Sequence, residues 1–589
     1  MTAREKGGVV SFSRGAEIWM HYARMFAVSC GIVIASSLAL GMLIGGVFFY
    51  IRTDASDRYW IERNYAAKLR EAVFMGRSKM ALEVDGARHT LTAEEVKQLT
   101  EEPSEFARVT AWNGMVLGGE VALGAIFLIV LYWWHYGRGK MRDSHVRGAS
   151  LVDGSELKRQ IDANGDGSPY EIAGVPMRRK SETLHSLFAG AQGTGKSQQF
   201  FALMRQVRRR GKKTIVYDPT GEFTQEFYRP GIDILMNPLD ARSPNWNPWC
   251  EIDMDYHYDN LAAGLIPEPS DTDPFWALAG RAVFSDTLRV LGRANRGTNS
   301  ALCSVLLNSS LDSLHATLMG TAAASYVDPK TERTGMSLKM TVQNQLNAFR
   351  LLHDEGELFS IRKWIREEGT DSWMFITARE SVREALKPIL SLWLDTTIKA
   401  VLDLEPIHTE RMWFFIDELP TLQRIDSLKL ALTNTRKFGL CMVLGVQDFS
   451  QIYSLYGQDL AKTIISGCQT KLLLRVTDGT AAKLLVELVG QAEVDQKEET
   501  LSYGTTSQRD GVSIIARRSM RDILLPSEIT TLPDMEGYLL VPGPYPVGRA
   551  KYGFAAPQKN VPGFVARPGF DASAFNISPQ LSALRHLLH

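Results

Sequence analysis

Eight consecutive residues, Gly190-Ala191-Gln192-Gly193-Thr194-Gly195-Lys196-Ser197, carry the spacing G-x-x-x-x-G-K-S. Glycines at these positions let backbone N–H groups close around a phosphate, the lysine reaches the outer phosphates, and the serine hydroxyl is a magnesium ligand. The apolar run Leu184–Ala189 precedes the loop and a helix-like stretch, Gln198–Arg210, follows it. A strand therefore delivers the loop, and a helix N-terminus turns its partial positive charge on the anion. That context separates the motif from an ordinary glycine-rich turn and implies a bound nucleoside triphosphate.

A second constellation lies roughly 220 residues on, where Met412-Trp413-Phe414-Phe415-Ile416 runs into Asp417-Glu418. A bulky apolar strand ending in two acids is the Walker B pattern. Asp417 is expected in the magnesium shell, and Glu418 to orient and deprotonate the attacking water. Leu430–Gly439 then reads as a helix stopped by glycine, and Cys441–Gly445 as a strand followed by Gln447, an amide placed to sense the terminal phosphate. Spacing alone leaves Arg436 open between two roles: an arginine finger donated across a subunit boundary, or a cation favoured at a helix C-terminus.

The elements that must position these groups alternate. Thr214–Asp218, Ser372–Thr377 and Lys471–Val476 read as further strands with helices between them, which predicts an open, mostly parallel α/β sheet. The gap between the two motifs exceeds what adjacent βα units need. Residues 255–365 read mainly as helices, for example Asp273–Leu291 and Leu338–Leu352, and are expected to form an all-α domain inserted into the nucleotide-binding fold. Arg205, Arg208, Arg209, Arg210, Lys212 and Lys213 crowd the end of the P-loop helix, either as a nucleic-acid contact or as a solvated helix end favoured by the dipole. The tail from about Pro557 is expected to be loosely ordered, with a short amphipathic helix over Ser578–His589.

Length and composition bound the rest. The 589 residues are 45% hydrophobic and 22% charged, ordinary for a folded chain of several domains. Lys plus Arg equals Asp plus Glu at 66 each, so any polyanion-binding surface must be local. Five scattered cysteines without C-x-x-C spacing, and histidines without an H-x-x-x-H pair, argue against a disulfide framework or a zinc site. Met25–Tyr50 has no charge and is long enough to span a bilayer, too long for a secretory signal and followed by no cleavage site. A second span, about Trp112–Tyr136, ends in aromatic residues suited to an interface. Arg4, Lys6, Arg14 and Arg24 precede the first span and Arg138, Lys140, Arg142 and Arg147 follow the second, so both flanks are expected to be cytoplasmic. Glu120 is read in the outer third of its span, within reach of headgroups, although an intramembrane carboxylate is also a functional candidate. Gly41-x-x-x-Gly45 and Gly114-x-x-x-Gly118 would permit close helix packing, and with it self-association.

The order of these parts and a set of phrases resemble the TraD-like type IV coupling proteins of bacterial conjugation, within the FtsK-like group of DNA translocases. The phrases are Gly193–Ser197, Gly221-Glu222-Phe223, Asn237-Pro238-Leu239-Asp240-Ala241-Arg242, Asp273-Pro274-Phe275-Trp276, Trp413–Leu422, Arg436-Lys437-Phe438-Gly439, Arg509-Asp510-Gly511-Val512-Ser513 and Gly543-Pro544-Tyr545-Pro546. The resemblance implies a RecA-like P-loop NTPase with an inserted all-α domain behind a two-helix transmembrane hairpin. It implies a homohexameric ring at the bacterial inner membrane, using ATP and Mg2+ to pump single-stranded DNA with its relaxase. The partners it implies are relaxosome proteins and inner-membrane components of a type IV secretion system. It makes Arg436 the finger on the neighbour's ATP, matches Gln447 to a polar residue beyond the next strand, and credits the inserted helical domain with contact to cargo and DNA. The long acidic tail that docks relaxosome proteins in many relatives is not seen in this sequence.

The expected division is a cytoplasmic N-terminus (1–24), a first transmembrane helix (25–50), a periplasmic domain (51–108) and a second transmembrane helix (109–137). Then come the nucleotide-binding domain in two parts (138–254 and 366–555), the insert (255–365) between them, and a tail (556–589). Two other readings share these motifs: a secretion ATPase that moves only protein effectors, and a membrane receptor that binds nucleotide without pumping. Intact Lys196, Ser197, Asp417 and Glu418 argue against the receptor, which needs no water activator.

Overall fold

The computed structural model describes residues 4–74, 78–140, 144–268, 273–407, 409–502 and 511–568. The chain divides into two compact units, residues 1–144 with 495–517 and residues 145–494 with 518–589.

In the first unit, helices Arg4–Arg52 and Glu105–Lys140 contain apolar stretches, Ala23–Arg52 and Glu105–Tyr136, long and apolar enough to cross a membrane. They pack antiparallel with their glycines in contact. A Cβ at Gly41 would stand 2.3 Å from the carbonyl oxygen of Gly118, and one at Gly45 2.4 Å from that of Gly114. Both glycine motifs are thus spent inside the hairpin, where small residues let the two backbones touch; they do not supply the expected self-association surface. The same register sets Glu120 level with Ala39 of the first helix. Between the long helices, helix Ala55–Phe74, a hairpin of Lys79–Val84 and Ala87–Thr92, and helix Ala93–Glu101 share a small core of Ala67, Met80, Leu82, Ala93 and Val96. Thr92 and Glu95 close a capping box on the last helix.

The second unit is built on a ten-stranded sheet. Its strands in chain order are β1 (Leu151–Asp153), β2 (Ser186–Ala189), β3 (Lys213–Asp218), β4 (Ile234–Met236), β5 (Trp373–Thr377), β6 (Met412–Ile416), β7 (Leu440–Val446), β8 (Thr470–Leu473), β9 (Glu536–Leu540) and β10 (Val547–Lys551). Across the sheet they lie in the order β1-β10-β9-β8-β2-β7-β6-β3-β5-β4. All pairings are parallel except those of β9 with β8 and with β10. The bulky strands bury both faces, as parallel strands covered by helices do. In β6, Met412, Phe414 and Ile416 enter one apolar layer, while Trp413 and Phe415 enter the layer on the other face. Between β4 and β5 the chain forms no strand among the described residues and runs through helices that include Tyr256–Leu265, Phe275–Arg293, Glu332–Leu346 and Ile361–Arg366.

Two expectations about charge and order need correction. Five of the six basic residues at the end of the P-loop helix have partners within their own fold, while Arg209 stands exposed, as a solvated helix end would have it. Arg205 forks onto Glu226 at 2.6 and 2.9 Å, and Arg208 pairs with Asp233 at 2.7 Å and lies 3.8 Å over the Trp373 ring. Arg210 stacks on Tyr170, Lys212 pairs with Glu410, and Lys213 donates to the carbonyls of Trp364 and Glu367. The tail is not loose over 557–568. The N–H groups of Gln558 and Val565 donate to Glu226 and Asp240, those of Asn560 and Val561 to the Gln225 carbonyl, and Arg242 donates to the Pro562 carbonyl. An extended, proline-containing segment has free backbone groups, and here side chains and a backbone carbonyl of the nucleotide-binding fold satisfy them. The expected helix Ser578–His589 and the phrase residues Arg509 and Asp510 lie outside the described residues.

Candidate nucleotide site

β2 delivers the loop Gly190–Gly195 to the N-terminus of helix Lys196–Arg209. Gly193 and Gly195 have φ of +79° and +106°, left-handed conformations that a side chain would strain. The Gly190 N–H donates to the Val446 carbonyl at 3.0 Å, and the Ala191 N–H to that of Arg475 at 2.8 Å, pinning the start of the loop to the neighbouring strand ends. Thr194 Oγ1 donates to the Ala191 carbonyl at 2.7 Å.

β6 and β2 flank β7, and all three run parallel, so Asp417 and Glu418 emerge on the edge of the sheet that carries the loop. Lys196 Nζ donates to Glu418 Oε2 at 2.9 Å, and Lys196, Asp417 and Glu418 are all buried. Burial pushes the Asp417 carboxyl up to about 7, against the pull of the Lys196 ammonium and with a further push from Glu418, Asp218 and Glu222. Its Oδ1 is buried without a hydrogen-bond partner among the described residues. A hard divalent cation suits that oxygen. Among the described residues no group of three or more His, Cys, Asp or Glu could hold a metal alone, so a cation at Asp417 and Ser197 would complete its shell with phosphate oxygens and water. Ser197 directly follows Lys196 in the first turn of the helix and is half-buried.

Gln447 follows Val446 directly at the loop edge and is exposed. Arg436 is at the other end of β7. It lies exposed in the 3₁₀ turn Thr435–Phe438 that Gly439 terminates, roughly 20 Å of strand away from Gln447. The structure therefore gathers Lys196, Ser197, Asp417, Glu418 and Gln447 at one edge and holds Arg436 away from them.

Four further residues shape the site. Gly445 lies where an added Cβ would stand 1.8 Å from the Asp417 carbonyl oxygen, so only glycine lets β7 pass the acid. An isolated glycine inside a bulky apolar strand is the sequence signal for such an approach. Asp218, fully buried with its carboxyl pushed up by desolvation, accepts from Gly221 N–H, Thr224 N–H and Thr224 Oγ1 at 2.8 Å each and so fixes the Gly221-Glu222-Phe223 turn. Met535 and Tyr552 back the loop from β9 and β10, a contact no local pattern announces.

A family profile described as the type IV secretion-system coupling protein DNA-binding domain matches residues 169–552. The chain belongs to that coupling-protein family. It is 33% identical to the coupling protein TraD of Escherichia coli K12 over 468 residues, 77% of this chain and 65% of that protein. It thus spans just under two thirds of that relative's length. Among solved structures, the conjugative coupling protein TrwBdeltaN70 superposes with a TM-score of 0.65 at 30% identity, covering 72% of this chain and 97% of that one. TrwB in complex with ADP and Mg2+ gives the same TM-score at 29% identity, covering 72% and 98%. The coupling protein therefore has the P-loop NTPase fold of these relatives, preceded by two helices of membrane-spanning length and composition.

Proposed function

We propose that this coupling protein is an ATP-driven DNA pump of a conjugative type IV secretion system. The observation that carries the reading is the convergence of Lys196, Ser197, Asp417 with its unpartnered Oδ1, and Glu418 on one sheet edge. In this reading the Gly190–Ser197 loop cradles the triphosphate, and Lys196 neutralises its outer phosphates. Ser197 and Asp417 hold Mg2+, which offsets charge developing on the phosphate oxygens. Glu418 takes the proton of the attacking water and Gln447 senses the terminal phosphate. Arg436, exposed and distant from its own loop, acts on the ATP of the next subunit of a homohexamer, as an arginine finger does. TrwB, solved with ADP and Mg2+, supports the same cofactors here.

The ring stands on the cytoplasmic face of the inner membrane, with both termini cytoplasmic. The basic residues flanking the apolar runs 25–50 and 112–136 on their outer sides support that orientation, with Glu120 the one charge inside the second run. The segment between the long helices is the periplasmic domain, and the helical insert at 255–365 meets the cargo. Relaxosome proteins deliver single-stranded DNA with its relaxase, and inner-membrane components of the secretion system receive it. The test is ATP hydrolysis and displacement of streptavidin from biotinylated single-stranded DNA by the full chain in lipid nanodiscs. Hydrolysis stimulated by DNA, lost in Lys196→Ala together with displacement, is the expected result. Hydrolysis indifferent to DNA at low salt and without displacement would instead favour protein cargo.

A further inference from the structure

A triphosphate on the Gly190–Ser197 loop must turn its terminal phosphate toward Lys196, Asp417 and Glu418. These acids stand at the end of β6, two strands to one side of β2. The nucleoside end therefore leaves the loop on the other side, over β8, β9 and β10. β9 runs antiparallel, so its first residue and the last residue of β10 both lie on the loop edge.

Met535, just before β9, has φ of +62° and donates its N–H to the Thr194 carbonyl at 3.0 Å. Tyr552, just after β10, donates its N–H to the Met535 carbonyl at 3.0 Å. Both side chains abut the loop: a Cβ at Gly195 would stand 2.6 Å from Met535 Sδ and 2.9 Å from the Tyr552 hydroxyl oxygen. That hydroxyl is buried without a hydrogen-bond partner among the described residues. Three residues further on, the Ala555 N–H donates to Gln198 Oε1 at 3.0 Å, and Gln198 directly follows Ser197. The segment 552–555 is thus fastened to the loop at one end and to the first turn of its helix at the other. Between the two fastenings stands Phe554, 68% exposed.

A single exposed phenylalanine needs no explanation by itself. This one is held in place where the geometry sends the nucleoside. We propose that the Phe554 ring is the stacking face for the nucleobase, which makes Tyr552–Ala555 the base-side wall of the site. The inference rests on the nucleotide-binding reading above and adds to it the residue that recognises the base. Every base offers a π-face, so recognition by stacking tolerates adenine and guanine alike.

The test uses the full chain in detergent and measures equilibrium binding of Mg-ATP, Mg-GTP and Mg-tripolyphosphate, which has no base. Phe554→Ala should weaken ATP and GTP about tenfold, leave tripolyphosphate unchanged, and be rescued by Phe554→Trp. Unchanged ATP affinity in Phe554→Ala would overturn the proposal, as would ATP and tripolyphosphate weakening together. If the unmodified chain bound neither ATP nor tripolyphosphate, the nucleotide-binding reading itself would fall. Tripolyphosphate binding with an indifferent Phe554 would remove only the stacking role.

Discussion

Lys196 and Glu418, 222 positions apart in the chain, meet as a buried pair at 2.9 Å between Nζ and Oε2. The lysine assigned to the phosphates is thus held by the acid assigned to the water. Under the proposed function, a phosphate arriving at Lys196 would compete with Glu418 for one ammonium, and its binding would release the carboxylate to act on water. Glu418→Gln leaves a neutral amide, a weaker competitor than a carboxylate. ATP affinity should therefore hold or rise, while turnover falls by about two to four orders of magnitude. Equilibrium binding and steady-state hydrolysis on the same preparation check both halves. Hydrolysis near the parent rate would remove Glu418 from the water-activating role.

Arg436 and Gln447 cap opposite ends of β7, so an arginine on this chain faces away from the loop it would need to serve in cis. Arg436→Ala should leave ATP binding by monomers intact and abolish hydrolysis by assembled rings. Mixing it with Lys196→Ala should restore partial activity, because some interfaces then pair an intact loop with an intact finger. Loss of binding in isolated monomers would place Arg436 in its own site and end the trans assignment.

Much of this was readable along the chain because its signals are local. The loop is glycine spacing between a strand and a helix, and β6 announces itself as five bulky apolar residues before two acids. What escaped depends on contacts between distant segments. β9 and β10 carry no special pattern, and only the folded sheet brings Met535 and Tyr552 behind Gly195. The segment 557–568 looks disordered by composition, but its partners Glu226, Asp240 and Arg242 lie more than 300 residues upstream. Arg205 and Arg208 read as free charge until Glu226, Asp233 and Trp373 arrive around them. The glycine spacing of the two long apolar helices allows close packing, yet spacing does not tell a helix which neighbour it will touch.

Gly445 is the prediction that tests how the acids are placed. A methyl group there meets the Asp417 carbonyl at 1.8 Å, so either β7 or the end of β6 must move. Gly445→Ala should destabilise the fold by about 2–3 kcal/mol and weaken Mg-dependent ATP binding more than binding without the cation. Gly479→Ala, where a Cβ meets nothing within 4 Å, is the control and should be neutral or slightly stabilising at the start of its helix. Equal effects in the two variants, read by thermal melting and nucleotide binding, would sink the packing argument.

His185 supplies the pH prediction. It lies buried just before β2 with φ of +60°, and its Nδ1 accepts from the Met442 N–H at 3.2 Å. Burial pushes its pKa down to about 4, from about 6.5 in an unfolded chain. The unfolded state therefore binds a proton between those values that the folded state refuses. The stabilisation is present above pH 6.5 and is lost as pH falls toward 4, to a limit of about 3 kcal/mol. Asp417, whose pKa is raised, acts in the opposite direction over much of that range, and His257, also lowered by burial, acts in the same direction. The parent's own slope thus mixes signs, and the difference between parent and variant is what isolates His185. Asparagine tolerates the left-handed backbone and does not titrate. His185→Asn should lose less stability than the parent between pH 7 and 5 in thermal melts, whatever its melting temperature at neutral pH. Parallel melting curves across that interval would show that His185 carries no proton linkage.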